Sequence, residues 1–394
     1  MRAEKLVIVG GGVIGSSIAW HLKKKGFQGP ITVFERDPSY QRASSSLAMG
    51  GVRQQFSNIA NIRLAQHSVR FYEQFSTRLR ISHRYPKACF QQRGYLFLAD
   101  DTNVDRLHRR FEHQLRLGAN IKRLEVADIK SLVPDIAVDN IRFGIFGPDD
   151  GYVAPRDILF GFRKAAIASG VTYTTAEVTD LVVTNGSIQG VVLDGNTTYD
   201  TKIVINAAGP FAANLASLAG IELPVMPVRQ QLFRCRLPVR WPYRFPLVVD
   251  PSGVHWRHED PVMRNDPDQI IVARTNFNEP PGENFDCDMS RWKTEFRPPL
   301  VSRVPAFDSI SVITGWAGLY EMTPDHNPLL GEHTDLKGFY LANGFSGHGL
   351  MMAPATGAAI AELITTGTSS CLDITAFSPD RFNRNDDCVD DAMI

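Results

Sequence analysis

Three glycines and one acid carry the first chemical signal. In LVIVGGGVIGSSIAWHLKKKG, Gly10, Gly12 and Gly15 stand in GxGxxG order, and Glu35 follows twenty residues after Gly15 in ITVFER. Gly10 permits a tight turn, Gly12 lets the backbone approach a diphosphate, and Gly15 lets a helix and a strand pack closely. The diphosphate then meets the free N–H groups of a helix N-terminus. At that spacing the Glu35 carboxylate can accept hydrogen bonds from a ribose 2′-hydroxyl and would repel a 2′-phosphate. The chemistry indicated is dinucleotide binding, with NAD and FAD both open on this motif alone.

These residues need a strand, a helix and a second strand to position them. Leu6 to Val9 is a continuous apolar run suited to a buried parallel strand, and Val13 to Lys25 has helical periodicity ending at Gly26. Two later segments favour FAD. IVINAAGPF (203–211) is another apolar strand ending in small residues that let a second backbone lie against the nucleotide, which a simple NAD domain does not need. GFSGHGLMMAPATG (344–357) brings glycines to the start of a small-residue helix over Met351 to Ile364. A helix N-terminus there can place partial positive charge beside a group that becomes anionic, as a reduced flavin does.

The chain of 394 residues is long enough for two domains. Its 42 basic and 42 acidic side chains cancel and no basic block stands out, which argues against nucleic acid or an anionic membrane surface and for a small-molecule partner. Cys89, Cys235, Cys287, Cys371 and Cys388 form no CxxC pair, which argues against a disulfide framework and a zinc site. His255 and His258 stand three apart with no carboxylate ladder, so no metal is expected. Only Met1 to Lys5 precede the first apolar strand, which predicts a cytoplasmic protein without a signal peptide. The uncharged stretches Ile203 to Ile221 and Phe345 to Ala361 contain Gly, Pro and polar groups, so they are expected in the protein interior and not in a membrane.

VIVGGGVIGSSIAWHL with ITVFER, ASSSLAMGGVRQQFS, IVINAAG, GLYEMTPDHNPLLG and GFSGHGLMMAPATG occur in that order. As a set they resemble the D-amino acid oxidase superfamily of FAD enzymes, from residue 6 to about residue 382. The closest likeness is to its sarcosine oxidase and sarcosine dehydrogenase branch. That branch includes amino-acid dehydrogenases, opine oxidase subunits and a mitochondrial complex I assembly flavoprotein. The resemblance implies an α/β fold: a Rossmann-type FAD-binding domain of the glutathione reductase kind, with a substrate domain built on an antiparallel sheet. It implies FAD contacts from Gly10, Gly12, Val13, Ile14, Gly15, Glu35 and Arg36, then from Ser44, Ser45, Gly50 and Gly51. Val178 would meet the adenine, and Ala208 and Gly209 would close the second nucleotide motif. Gly318, Gly347, His348, Gly349, Leu350 and Met351 would lie at the flavin end.

Departures from the family pattern shape the expected chemistry. Members with covalent flavin carry a cysteine where this chain has Gly318, so FAD is expected to be noncovalent. Met351 replaces a lysine that helps hold the substrate carboxylate in sarcosine oxidases. No lysine corresponds to the family's oxygen-activating residue; that region offers His255, Arg257 and His258, which puts oxygen as electron acceptor in question. An electron-accepting partner or second subunit is a possible alternative.

The leading expectation is oxidation of a secondary amine or amino acid of the sarcosine, opine or D-amino-acid kind. Hydride passes from the carbon next to nitrogen to flavin N5, giving an imine that hydrolyses. Positioning then matters more than a strong base. A small carboxylate-bearing amine calls for an arginine fork, and Arg53 in GGVRQQFS is the first candidate, with a structural ion pair as the alternative. Tyr320 could hydrogen-bond the substrate or pack in the core, and His348 could steady the flavin or be structural. Two other functions stay open: a 2-hydroxy acid dehydrogenase with His67 or His348 as base, and a flavoprotein acting in assembly.

A discontinuous FAD domain is expected over 1–85, 148–225 and 318–382, and a substrate domain over 86–147 and 226–317. Helices are expected over Asn61 to Leu79 and Arg156 to Ser169, and strands in GYLFLAD and QIIVART. Arg229 to Gln231 could border the pocket where the chain passes to the substrate sheet, and read more simply as polar residues of an edge strand. The tail 383–394 is acidic and expected to fray.

Overall fold

A computed structural model describes residues 4–83, 86, 90–259, 268–384 and 389–390. A six-stranded sheet has the order Leu329–Glu332, Phe339–Asn343, Ile203–Asn206, Leu6–Val9, Ile31–Glu35, Thr172–Thr175. It is parallel except at the Leu329–Glu332 edge. The side-chain period of two divides its strands between two cores. Leu6, Ile8, Ile31 and Val33 face a core shared with helices Val13–Lys24, Ile59–Glu73, Pro155–Ala168 and Gly349–Thr366. Val7, Val9, Phe34 and Val204 face the other, closed by Ala212–Ser217 and the three-stranded sheet of Val178–Thr184, Ser187–Leu193 and Thr197–Asp200. Strands buried on both faces have no polar side to expose, which is why they read as continuous apolar runs.

The helices Val13–Lys24 and Gly349–Thr366 touch closely. The Ser17 hydroxyl donates to Ala353 O at 2.8 Å, and a Cβ on Gly357 would stand 2.3 Å from Ser17 Oγ. The small residues of the Gly349–Thr366 helix therefore serve packing as well as its N-terminus. Ile59–Glu73 and Pro155–Ala168 differ from the expected helices by a few residues at their ends.

The second large sheet runs Ser311–Met322, Met226–Arg236, Gln269–Arg274, Val254–Glu259, Leu247–Val249, Tyr95–Ala99, Phe143–Gly147, Lys122–Leu124. It corrects the expected antiparallel sheet in one place, because Leu247–Val249 pairs parallel with Tyr95–Phe97. It corrects a second expectation too. Arg229 to Gln231 lie in an interior strand, between Ser311–Met322 and Gln269–Arg274. Pairing on both sides buries Gln230 and Gln231, where an edge would have left them in water.

Among the described residues no helix is long and apolar enough to cross a membrane. Ile203 to Ile221 and Phe345 to Ala361 both run through the cores described above. Cys235, Cys287 and Cys371 are unbridged. Cys89, Cys388 and residues 385–388 and 391–394 of the tail lie outside the described residues. Asp390 of the tail is buried, and its carboxylate accepts from Asn61 Nδ2 and Ser57 Oγ, each at 2.8 Å.

Candidate functional site

Two cavities meet at the C-terminal ends of the parallel strands. The outer, of about 460 Å³, is bounded by Gly10, Gly12, Val13 and Ile14 and by Glu35 and Arg36. Ser44, Ser45, Val178, Ala208 and Gly209 complete the expected residues on its wall. Gly10 has φ of +100°, and a Cβ there would stand 2.4 Å from Ala207 O, so only glycine lets these two strand ends come together. Gly15 lines neither this cavity nor the inner one described below. A Cβ on it would lie 2.0 Å from Gly10 O, which gives it the helix–strand packing role read from its spacing.

The Val13–Lys24 helix has no side-chain cap at Gly12, and Val13 N–H donates to Ser45 Oγ at 3.0 Å. Glu35 Oε2 accepts Gly11 N–H and Oε1 accepts Asp37 N–H, both at 2.8 Å. Burial raises the Glu35 pKa, and these two N–H bonds oppose the rise. The Arg36 guanidinium stacks 3.9 Å from the Phe211 ring centroid and pairs with Glu177 at 3.3 Å, both residues of the same wall. This is a cradle for a flat base, a sugar and an anionic linker.

The inner cavity lies between the two large sheets. Gly50, Gly51, Gly318, Tyr320, Gly347, His348, Gly349, Leu350 and Met351 all line it. Gly347 has φ of +91°, and a Cβ there would stand 2.5 Å from the Tyr320 ring, so the glycine admits that ring. Val13, Ile14, Ser44, Ser45 and Glu321 line both cavities, so one long molecule can run from the first into the second.

His348 faces the inner cavity neutral: burial, then the Arg53 charge, hold its pKa near 3. Arg53 Nη2 lies 3.2 Å from His348 Nε2, so that nitrogen accepts and Nδ1 carries the proton. His255, on the same wall, is lowered to about 4, chiefly by burial. Burial raises the Tyr320 pKa, opposed by a hydrogen bond with the Thr275 side chain.

Arg53 is placed otherwise than its sequence position suggests. It is 0% exposed and lines neither cavity. Its guanidinium donates to Gln55 O and His348 and lies 4.3 Å from the Phe56 ring centroid. The backbone turns it behind His348, so it supports a wall residue and does not form the wall. His67 lies on the Ile59–Glu73 helix and lines neither cavity. Arg257 is buried and donates to Met49 O at 2.7 Å, holding the loop before Gly50.

Sequence reasoning missed Thr275 and Tyr95 on the inner wall and discounted Gln230. Arg274 and Gln231 border that cavity only through their strands, because the alternation that turns Leu232, Ile271 and Ala273 toward it turns their side chains to the other face. There Arg274 Nη1 stands 3.1 Å from Glu295 Oε2. Arg291 holds the same Glu295 carboxylate through two contacts, at 2.9 and 2.8 Å. Gln231 is 2% exposed; its Oε1 accepts Asp288 N–H at 2.6 Å. Its buried Nε2 has no hydrogen-bond partner among the described residues. The RQQ segment was the available signal, discounted because its strand was read as an edge.

Comparison with known proteins gives concordant results. A family model described as FAD dependent oxidoreductase, DAO, matches residues 5–363. FAD-dependent oxidoreductase domain-containing protein 1 of Xenopus laevis is 33% identical, covering 97% of this chain and 83% of its own. Glycine oxidase of Geobacillus kaustophilus is 26% identical over 95% of this chain and 96% of its own. The crystal structure of L-proline dehydrogenase from P. horikoshii is similar with a TM-score of 0.86 at 30% identity, covering 98% of this chain and 99% of that one.

Proposed function

The chain belongs to the DAO family of FAD-dependent oxidoreductases, and from that premise we propose that it oxidises the carbon–nitrogen bond of a secondary amine or amino acid whose carboxylate accepts a hydrogen bond from the Tyr320 hydroxyl. The observation that carries this reading is the place of that phenol: Tyr320 lines the inner cavity, packs on Gly347 and keeps its proton because burial raises its pKa. A phenolic O–H that donates to a carboxylate makes a charge-assisted hydrogen bond.

The residues present fit FAD. The glycine cradle, Glu35 and the Arg36–Phe211 stack suit its nucleotide end, and the inner cavity suits its ring. When bound, FAD supplies a two-electron acceptor for the hydride. The chain's part is to bind and orient. Tyr320 would hold the carboxylate, His255 would bound the substrate, and the two sheets would exclude water. The neutral amine needs no strong base. Deprotonating the hydroxyl of a 2-hydroxy acid does, and imidazoles held near 3 and 4 at His348 and His255 are poor bases at neutral pH. The likeness to an L-proline dehydrogenase supports a secondary amino acid as the first class to try.

The test is anaerobic reduction of the bound flavin by a panel of secondary amino acids, primary amino acids and 2-hydroxy acids. Bleaching by a secondary amino acid is expected. Bleaching by hydroxy acids alone would overturn the reading.

Two expectations concern the cofactor itself. Among the described residues no cysteine lines either cavity, and Gly318 stands on the inner wall with its Cβ position 3.0 Å from Leu47. Acid precipitation should release all the flavin, and fluorescence left on the denatured polypeptide would contradict this. Glu35→Gln removes a charged acceptor worth about 1.5 to 3 kcal/mol. Equilibrium dialysis should show FAD bound more than tenfold weaker, and an unchanged Kd would mean that the acid does not meet the ribose.

A further inference from the structure

Among the residues shared by the two cavities, Glu321 alone is ionisable. It is 8% exposed and lies near the end of the Ser311–Met322 strand. Its Oε2 accepts Gly344 N–H at 3.0 Å, and its backbone oxygen accepts Ser346 N–H at 3.0 Å. A Cβ on Gly209 would stand 3.9 Å from the same Oε2. The carboxyl thus reaches from the substrate sheet to the loop before His348 and faces the end of the Ile203–Asn206 strand. A cofactor that fills both cavities must pass it.

Among the described residues, the segments packed directly on this acid carry no cation. Pro227 is its partner across the sheet, and Gly344–Ser346 and Gly209–Phe211 carry no ionisable side chain. The ionisable residues of the outer wall are Glu35, Arg36, Asp37, Tyr40, Arg42 and Glu177. Those of the inner wall are Tyr95, His255, Arg274, Tyr320 and His348. FAD brings a diphosphate with two negative charges into this trough and dries it. A second anion at the junction is then disfavoured by both charge and burial.

We propose that Glu321 takes up a proton when FAD binds, so that its hydroxyl donates to a cofactor oxygen while its carbonyl oxygen keeps the Gly344 N–H. Without cofactor, burial already lifts this carboxyl to about 7, with the backbone N–H groups of Gly344 and Phe345 opposing the rise. Binding raises it further. The sign follows: FAD binds best below the apo value, and affinity falls as pH rises above it, by up to roughly tenfold per unit.

The experiment titrates FAD into apo-protein at pH 8 in two buffers of different ionisation enthalpy, and follows Kd from pH 6 to 9. Wild type should take up close to one proton per FAD. Glu321→Gln mimics the protonated acid and should show no uptake and a flat Kd, whereas Glu35→Gln should bind weakly and keep the uptake. Should Glu321→Gln fail to fold, the infrared difference between FAD-bound and apo wild type still decides, through a protonated-carboxyl C=O band on binding. Buffer-independent heat in wild type, uptake retained in folded Glu321→Gln, uptake lost in Glu35→Gln, or no carboxyl band would overturn the proposal.

Discussion

Tyr320→Phe should lower flavin reduction at subsaturating substrate by a factor of roughly 10 to 150. That range corresponds to about 1.5 to 3 kcal/mol for a hydrogen bond to a charged group. FAD content should not move, because phenylalanine keeps the ring that packs on Gly347. Arg274→Met is the control: its side chain lies on the opposite face of the sheet, paired with Glu295, so reduction should stay near wild type. Stopped-flow reduction rates over a substrate series read these effects. Equal rates in wild type and the Tyr320→Phe variant would remove Tyr320 from the substrate site.

Arg53→Met is expected to fail differently. Its guanidinium is enclosed, bonded to Gln55 and His348 and stacked near Phe56, and burial is the main cause lowering its pKa. Removing a buried, bonded charge of this kind costs about 3 to 5 kcal/mol when its partners cannot be re-satisfied. Denaturant melts should show that loss, and FAD content should fall because His348 loses the donor that fixes its ring. A stable, fully loaded Arg53→Met protein with flavin reduction slowed at least thirtyfold would return the carboxylate anchor to Arg53.

Arg53 shows where sequence reasoning stops. It follows the cavity-lining Gly50 and Gly51, and adjacency suggested a shared wall. Glycines line a wall with backbone alone, so they carry no side-chain direction over to Arg53, whose guanidinium is drawn instead to Gln55 O, His348 and Phe56. Gln230 was visible in the same way and discounted, because whether a strand is an edge depends on partners distant along the chain, as the pairing of Leu232 with Ala273 shows.

The nucleotide end was determined by the sequence itself. Its strand, its three glycines and its helix are contiguous, and Glu35 follows after one helix and one turn. Backbone sterics of consecutive residues leave little freedom in how they close around a diphosphate. The inner wall was decided only by tertiary structure. Gln230, His255, Tyr320 and His348 come from three strands and a helix start, and their meeting depends on strand order, register and the closure of two sheets. The proton state of Glu321 belongs there as well. A carboxyl near pKa 4 in water is carried to about 7 by burial that no local spacing announces.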